Sequence, residues 1–208
     1  MESMTLIIGS KHLSSWSLRA WILMRHLELA FDERLIELDQ PDTAANILRY
    51  SPSGRLPALQ HGELAIWDSL AIGEYVCELT GRGLPTGRAA RALARSVTAE
   101  MHAGFRTLRK TWPMDTRASS LHTPISLALA ADIARIEQLW VQCRAAFGAE
   151  GPWLFGHYSI ADAAFAPVVL RFRSYGPKLG PVAQRYQATT LADKHLDEWL
   201  RAAAATSA

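Results

Sequence analysis

The segment Gly81-Arg82-Gly83-Leu84-Pro85-Thr86-Gly87 divides this chain into two stretches that read with different periods, and that division limits the fold more than any other feature. So many glycines, with a proline among them, continue neither a helix nor a strand. Upstream, strand-like and helix-like patterns alternate. Thr5 to Ile8 reads as a buried strand, and Trp16, Ala20, Leu23 and Met24 recur at helical spacing as far as Leu29. A second strand is expected over Phe31 to Leu38, then a short helix over Thr43 to Tyr50 that Pro52 and Gly54 stop. Ala58 to His61 and Leu64 to Trp67 read as strands joined in a hairpin at Gly62-Glu63, and Leu70, Tyr75, Val76 and Leu79 mark a closing helix.

Downstream the period is helical throughout. Leu93, Val97, Met101, Phe105 and Leu108 are spaced for one face of a single long helix. Ile125, Leu129, Ile133, Ile136, Trp140, Cys143 and Phe147 mark another, with Thr123 as its N-cap and Pro124 in its first turn. A loop over Gly148 to His157, a buried helix over Ile160 to Tyr175 and one or two helices over Pro181 to Ala204 complete the chain. The expectation is an α/β domain over residues 1–81, a linker over 82–87 and an all-α domain over 88–208. The order βαβα followed by ββα resembles a thioredoxin-like fold.

Charge narrows the function. With 22 basic and 20 acidic residues spread along 208 positions, the chain has no electrostatic footprint for nucleic acid or an anionic membrane. No basic region precedes a long apolar stretch at the N-terminus, and the run Ala163 to Leu170 is short and holds Pro167, so a cytoplasmic protein is expected. Cys77 and Cys143 fall within apolar helical patterns and are expected in the core, not as catalysts or a disulfide. The seven histidines lack metal-ligand spacing, so no metal is expected.

Pro57 carries the functional signal. Proline lacks an N–H and belongs at a sheet edge or a special turn, and Arg55-Leu56-Pro57-Ala58-Leu59 sets it between apolar strands. An edge of that kind is open to an extended ligand that hydrogen-bonds the main chain of Leu56. If Ser69 begins a helix, its hydroxyl and N–H would receive a carboxylate. The predicted ligand is a small anionic peptide such as glutathione. Ser14, Ser15 and Ser17 fall where the first strand turns into the first helix; they read as helix caps or as hydroxyl donors to an anion.

These pieces, Ser14-Ser15-Trp16-Ser17-Leu18-Arg19, Ser51 to Leu59, Trp67-Asp68-Ser69-Leu70-Ala71-Ile72 and Ser159-Ile160-Ala161-Asp162, stand in an order that resembles the cytosolic-type glutathione S-transferases. The resemblance runs over nearly the whole length and is nearest to the bacterial serine-type members and the zeta, maleylacetoacetate isomerase-like, class with its Ser-Ser-Cys motif. It implies a glutathione cosubstrate without a metal, a small electrophile as second substrate, a homodimer, and activation of the thiol by Ser14, with Ser15 as the alternative. Trp16, Ser17, Arg19, Arg55, Leu56, Pro57, Asp68 and Ser69 would form the glutathione site. Arg19 and Arg55 are expected at the surface, steering the peptide.

Two departures bear on the reaction. Trp16 stands where the zeta motif has cysteine, which removes the nucleophile for disulfide exchange, and Asp68 stands where that class commonly has Gln. Two alternatives therefore remain beside the transferase: a glutathione-dependent cis-trans isomerase, and a binding or regulatory protein that keeps the groove without catalysis. The second substrate would meet the helix that begins near Arg88, through Met101, His102, Phe105 and Arg106, with Glu100 and Arg109 nearby and Trp112, Met114 and Tyr175 as an apolar wall; Met101 and Phe105 also fit the core stripe. Ser159 and Asp162 are read as a capping box with a structural task.

Overall fold

The computed structural model describes residues 2–205. Its first part is a four-stranded sheet of β1 (Met4–Gly9), β2 (Asp32–Ile36), β3 (Ala58–His61) and β4 (Leu64–Trp67), with α1 (Ser15–His26), α2 (Thr43–Leu48) and α3 (Ser69–Thr80). The strand order is β2-β1-β3-β4, with β1 parallel to β2 and antiparallel to β3, and β3 antiparallel to β4. This is the thioredoxin-like βαβαββα arrangement. Gly62 turns the β3–β4 hairpin at φ +58, a conformation glycine adopts without a Cβ penalty.

A helical domain follows: α4 (Arg88–Ala103), α5 (Arg106–Thr111), α6 (Leu127–Phe147), α7 (Ile160–Tyr175), α8 (Pro181–Leu191) and α9 (Lys194–Ala205). No helix of the described residues is long and apolar enough to cross a membrane. The single long helix expected from Leu93 to Leu108 is broken at Gly104. A Cβ there would lie 2.7 Å from the Glu100 carbonyl oxygen, and Phe105 follows at φ +57, so α5 departs in a new direction while Met101, Phe105 and Leu108 still enter one core. The start of α6 also differs. Ser126, not Thr123, is its N-cap, its hydroxyl accepting from Leu129 N at 3.2 Å, so Pro124 and Ile125 precede the helix.

α7 joins the two parts. Ile160, Ala163, Ala166 and Leu170 pack with Leu18, Leu23, Ile72 and Val76 of the first domain, while Ala164, Phe165, Val168 and Phe172 pack with Trp140, Ile136 and Met101 of the second. A helix covered on both sides must be apolar all round, which is why this stretch shows no polar face. Gly73 lets α3 approach it, since a Cβ there would meet the Ile160 side chain at 2.7 Å. The α7 N-terminus is a capping box: Asp162, fully buried, accepts from Ser159 N at 2.9 Å, Ser159 Oγ at 2.8 Å and Leu154 N at 3.0 Å.

Candidate functional site

The β3–β4 register opposes Ala58 to Trp67, which brings the start of one strand beside the end of the other. Leu56 and Pro57, joined by a cis peptide bond, therefore lie next to Asp68 and Ser69 at the first turn of α3. Together with Trp16, Ser53, Arg55 and Trp67 they line a groove of about 570 Å³, closed from the helical side by His102, Ala103 and Arg109. That is ample for a tripeptide or a small second substrate.

Asp68 has two tasks. It is the N-cap of α3, at φ +78, with Oδ1 accepting from Leu70 N at 2.8 Å. Its other oxygen lies 3.2 Å from His102 Nε2, linking the two domains across the groove. Ser69 follows at the first turn, where main-chain N–H groups have no intrahelical acceptor and the helix dipole favours an anion.

Trp16 forms the next wall. Its ring packs edge-on against His102 at 5.2 Å, and two guanidinium groups lie over it, Arg19 at 4.2 Å and Arg109 at 5.3 Å. Arg109 also donates to the Met101 and His102 carbonyls, at 3.1 and 3.3 Å, at the end of α4. Arg19 corrects the expectation of a surface residue: it is 5% exposed, because the side of α1 that carries it faces α3, α4 and α7. Its Nε and Nη2 have no hydrogen-bond partner among the described residues. Burial, then repulsion from Arg171 and Arg109, pushes its pKa down to about 9 against the pull of Asp68, so it remains a cation at neutral pH. Arg55 is exposed, as expected.

The three serines sit together at the N-terminus of α1, and none lines the groove. Ser14 is the N-cap; its oxygen accepts from Ser17 N at 3.4 Å and its hydroxyl donates to Ser17 Oγ at 2.7 Å. Ser17, fully buried, accepts from Gly9 N at 3.1 Å and so braces the strand-to-helix turn from within. Ser15 is different. Its oxygen accepts from Arg171 Nη2 at 3.3 Å, and its own hydroxyl hydrogen has no acceptor among the described residues.

Of the candidates for the second substrate, His102 and Arg109 reach the groove. Met101 and Phe105 are buried in the helical core, as their place on the apolar stripe requires, and Arg106 is exposed away from it because α5 has turned at Gly104. Trp112 and Met114 are core residues as well, Trp112 stacking on Tyr175 at 4.9 Å. Arg171 is the residue that pattern reading passed over. The signal available was one arginine within the apolar run of α7, where a charge has no business unless a neighbour needs it.

Comparison with known proteins finds likenesses in sequence and in fold. Residues 13–79 match the family model of the glutathione S-transferase N-terminal domain. A dichloromethane dehalogenase of Methylorubrum extorquens is 32% identical over 75 residues, which are 35% of this chain and 26% of that protein, so the match spans about a quarter of the relative. Among solved structures, a glutathione transferase homolog from Burkholderia GL BGR1 with bound glutathione superimposes with a TM-score of 0.75 at 24% identity, over 97% of this chain and 98% of that one. The holo form of maleyl pyruvate isomerase, a bacterial zeta-class glutathione S-transferase, gives 0.73 at 20% identity over 96% and 97%. These likenesses show the fold over the whole chain.

Proposed function

From the match of residues 13–79 to the glutathione S-transferase N-terminal domain, we propose that the chain is a glutathione S-transferase that binds glutathione in the groove beside Pro57 and activates its thiol for attack on a small electrophile. The observation that carries this reading is the convergence of Leu56, Pro57, Asp68 and Ser69 on one cleft. In this reading the Leu56 main chain pairs with the cysteinyl unit, Ser69 receives the γ-glutamyl carboxylate and Asp68 the amino group. The sulfur then falls toward Trp16 and the N-terminus of α1, where the helix dipole and a serine hydroxyl favour the thiolate.

Between the two serines, the hydrogen bonding supports Ser15 over Ser14. A hydroxyl has one hydrogen to give, and that of Ser14 goes to Ser17. The remaining work of catalysis is proximity of the thiolate to the electrophile. Arg109 on the helical wall supports an electrophile that carries negative charge, a feature equally suited to the isomerase alternative. We assign the protein to the cytoplasm and to a homodimer on the same reading; β4, at the open edge of the sheet, exposes Leu64 and Trp67 for such a contact.

The test is calorimetric titration with glutathione, followed by reaction with an activated aryl halide and with acidic cis-alkenes. Binding with consumption of the thiol supports the transferase, and turnover that leaves glutathione intact supports the isomerase. Binding without turnover supports the non-catalytic alternative. No binding at millimolar glutathione overturns the reading.

A further inference from the structure

Around the first turn of α1 the buried cations lack matching anions. Arg171 is 3% exposed, and its guanidinium makes three hydrogen bonds, all to neutral acceptors: Trp112 O at 2.8 Å, Pro167 O at 3.2 Å and Ser15 Oγ at 3.3 Å. It has no carboxylate partner among the described residues. The groups acting on it are Arg109 of α5, which repels it, and Tyr175 of its own helix; Arg19 of α1 lies within repulsive reach, and Asp68 beyond Arg19 is engaged with His102. A buried guanidinium without a counter-ion is strongly unfavourable, and neutral donors could serve the Trp112 and Pro167 carbonyls equally well. The fold therefore has no need of this charge, but an anion that arrives with a ligand does.

Resting on the proposed glutathione reading, the geometry points to Arg171 as the positioning residue for thiol activation. By donating to the Ser15 oxygen, it leaves the hydroxyl hydrogen of Ser15 as that residue's remaining donor, and this hydrogen bonds to the sulfur. The S–H proton leaves to solvent water, the thiolate accepts from Ser15, and Arg171 keeps its own proton throughout. The positive charge behind the hydroxyl, held on a guanidinium that is itself buried, then stabilises the sulfur anion. Burial and Arg109 push the Arg171 pKa down to about 10, which leaves it charged over the working range. Ser14, whose hydrogen is committed to Ser17, takes no part.

The experiment compares wild type, Arg171→Gln, Arg171→Lys and Ser15→Ala in the full-length chain. It reads the pKa of bound glutathione from ultraviolet thiolate absorbance against pH, and the affinity for S-methylglutathione, which has no thiol to ionise. Arg171→Gln should raise the bound thiol pKa by about one unit or more and slow thiolate reactions at neutral pH about tenfold, with S-methylglutathione affinity kept. Arg171→Lys should restore most of the lowered pKa. Ser15→Ala, which leaves Arg171 in place, should raise it as well, and this variant decides the matter if the glutamine protein does not fold. An unchanged thiol pKa in Arg171→Gln or Ser15→Ala, or loss of S-methylglutathione binding in parallel with that of glutathione, would reduce Arg171 to a structural residue. Wild type that binds neither ligand overturns the glutathione reading, and this inference with it.

Discussion

Asp162→Asn should destabilise the protein most at acidic pH, and the sign of that dependence tests how the α7 capping box holds its charge. The Asp162 carboxyl is fully buried and accepts three hydrogen bonds, from Leu154 N, Ser159 N and Ser159 Oγ. Burial disfavours the anion and the hydrogen bonds favour it; burial wins, raising the pKa from 3.8 to about 6. Because the native pKa lies above the unfolded one, the folded state binds more protons between them. The stability contributed by this group is complete below about pH 4 and is lost as pH rises through about 6, an effect of up to about 3 kcal/mol. In the asparagine variant one carboxylate oxygen becomes an NH₂ facing a buried N–H, which leaves that donor unpaired at a cost of about 1–3 kcal/mol. Urea unfolding of both proteins from about pH 5 to about pH 8 should show a gap that narrows with pH, since only the wild type must ionise a buried carboxyl. A gap that widens with pH would refute the reasoning: it would mean that the three hydrogen bonds outweigh burial and that the box prefers an anion.

Ser69→Ala and Asp68→Ala should each weaken glutathione binding about tenfold or more, read by calorimetry, and Asp68→Ala should also cost about 0.5–2 kcal/mol of stability through loss of the α3 cap. Unchanged affinity in both would remove the γ-glutamyl end from this groove. Gly104→Ala should lower stability by about 1–3 kcal/mol, because its Cβ would press on the Glu100 carbonyl at 2.7 Å; an unshifted denaturation midpoint would show that the α4–α5 break does not need glycine. Cys77 and Cys143 are both buried, with thiol pKa values pushed up to about 12 mainly by burial, so neither should react with an aromatic disulfide until the protein is unfolded. Rapid reaction of either in the native state would contradict their placement.

The sequence displayed some elements plainly and hid others for identifiable reasons. The β3–β4 hairpin was legible because Gly62 interrupts two apolar runs, and the α7 box because Ser159 and Asp162 have the cap spacing. The break at Gly104 was hidden because Leu93, Val97, Met101, Phe105 and Leu108 keep helical spacing across it: the chain turns, yet returns its apolar residues to the same core. The α6 start was misplaced because Thr123-Pro124 and Ser126 carry competing start signals, and only the Ser126 hydroxyl reaches a free N–H of the first turn. Pro57, Asp68 and Ser69 could be placed on one groove because each has a backbone reason to be there. Arg19 and Arg171 could not be placed, since a period shows which face a residue occupies but not which other element covers that face.

That limit has a consequence for specificity. The segment that matches the transferase family ends at residue 79, and it supplies Trp16, Arg55, Leu56, Pro57, Asp68 and Ser69, the part of the groove suited to a peptide. Every side chain that touches this part from the other side, His102 on Asp68, Arg109 over Trp16 and Arg171 on Ser15, comes from the helical domain. α7 packs simultaneously against both cores, so the distance from Arg171 to Ser15 is fixed by the same contacts that hold the domains together. A shift of α7 by an ångström would leave the peptide groove intact yet separate the guanidinium from the hydroxyl, and a hydrogen bond of 3.3 Å has little slack before it is lost. On the proposed reading, binding and activation of glutathione would be divided between the two domains: the first would keep its affinity for the peptide while changes in the second decide whether the thiol ionises and which electrophile it meets.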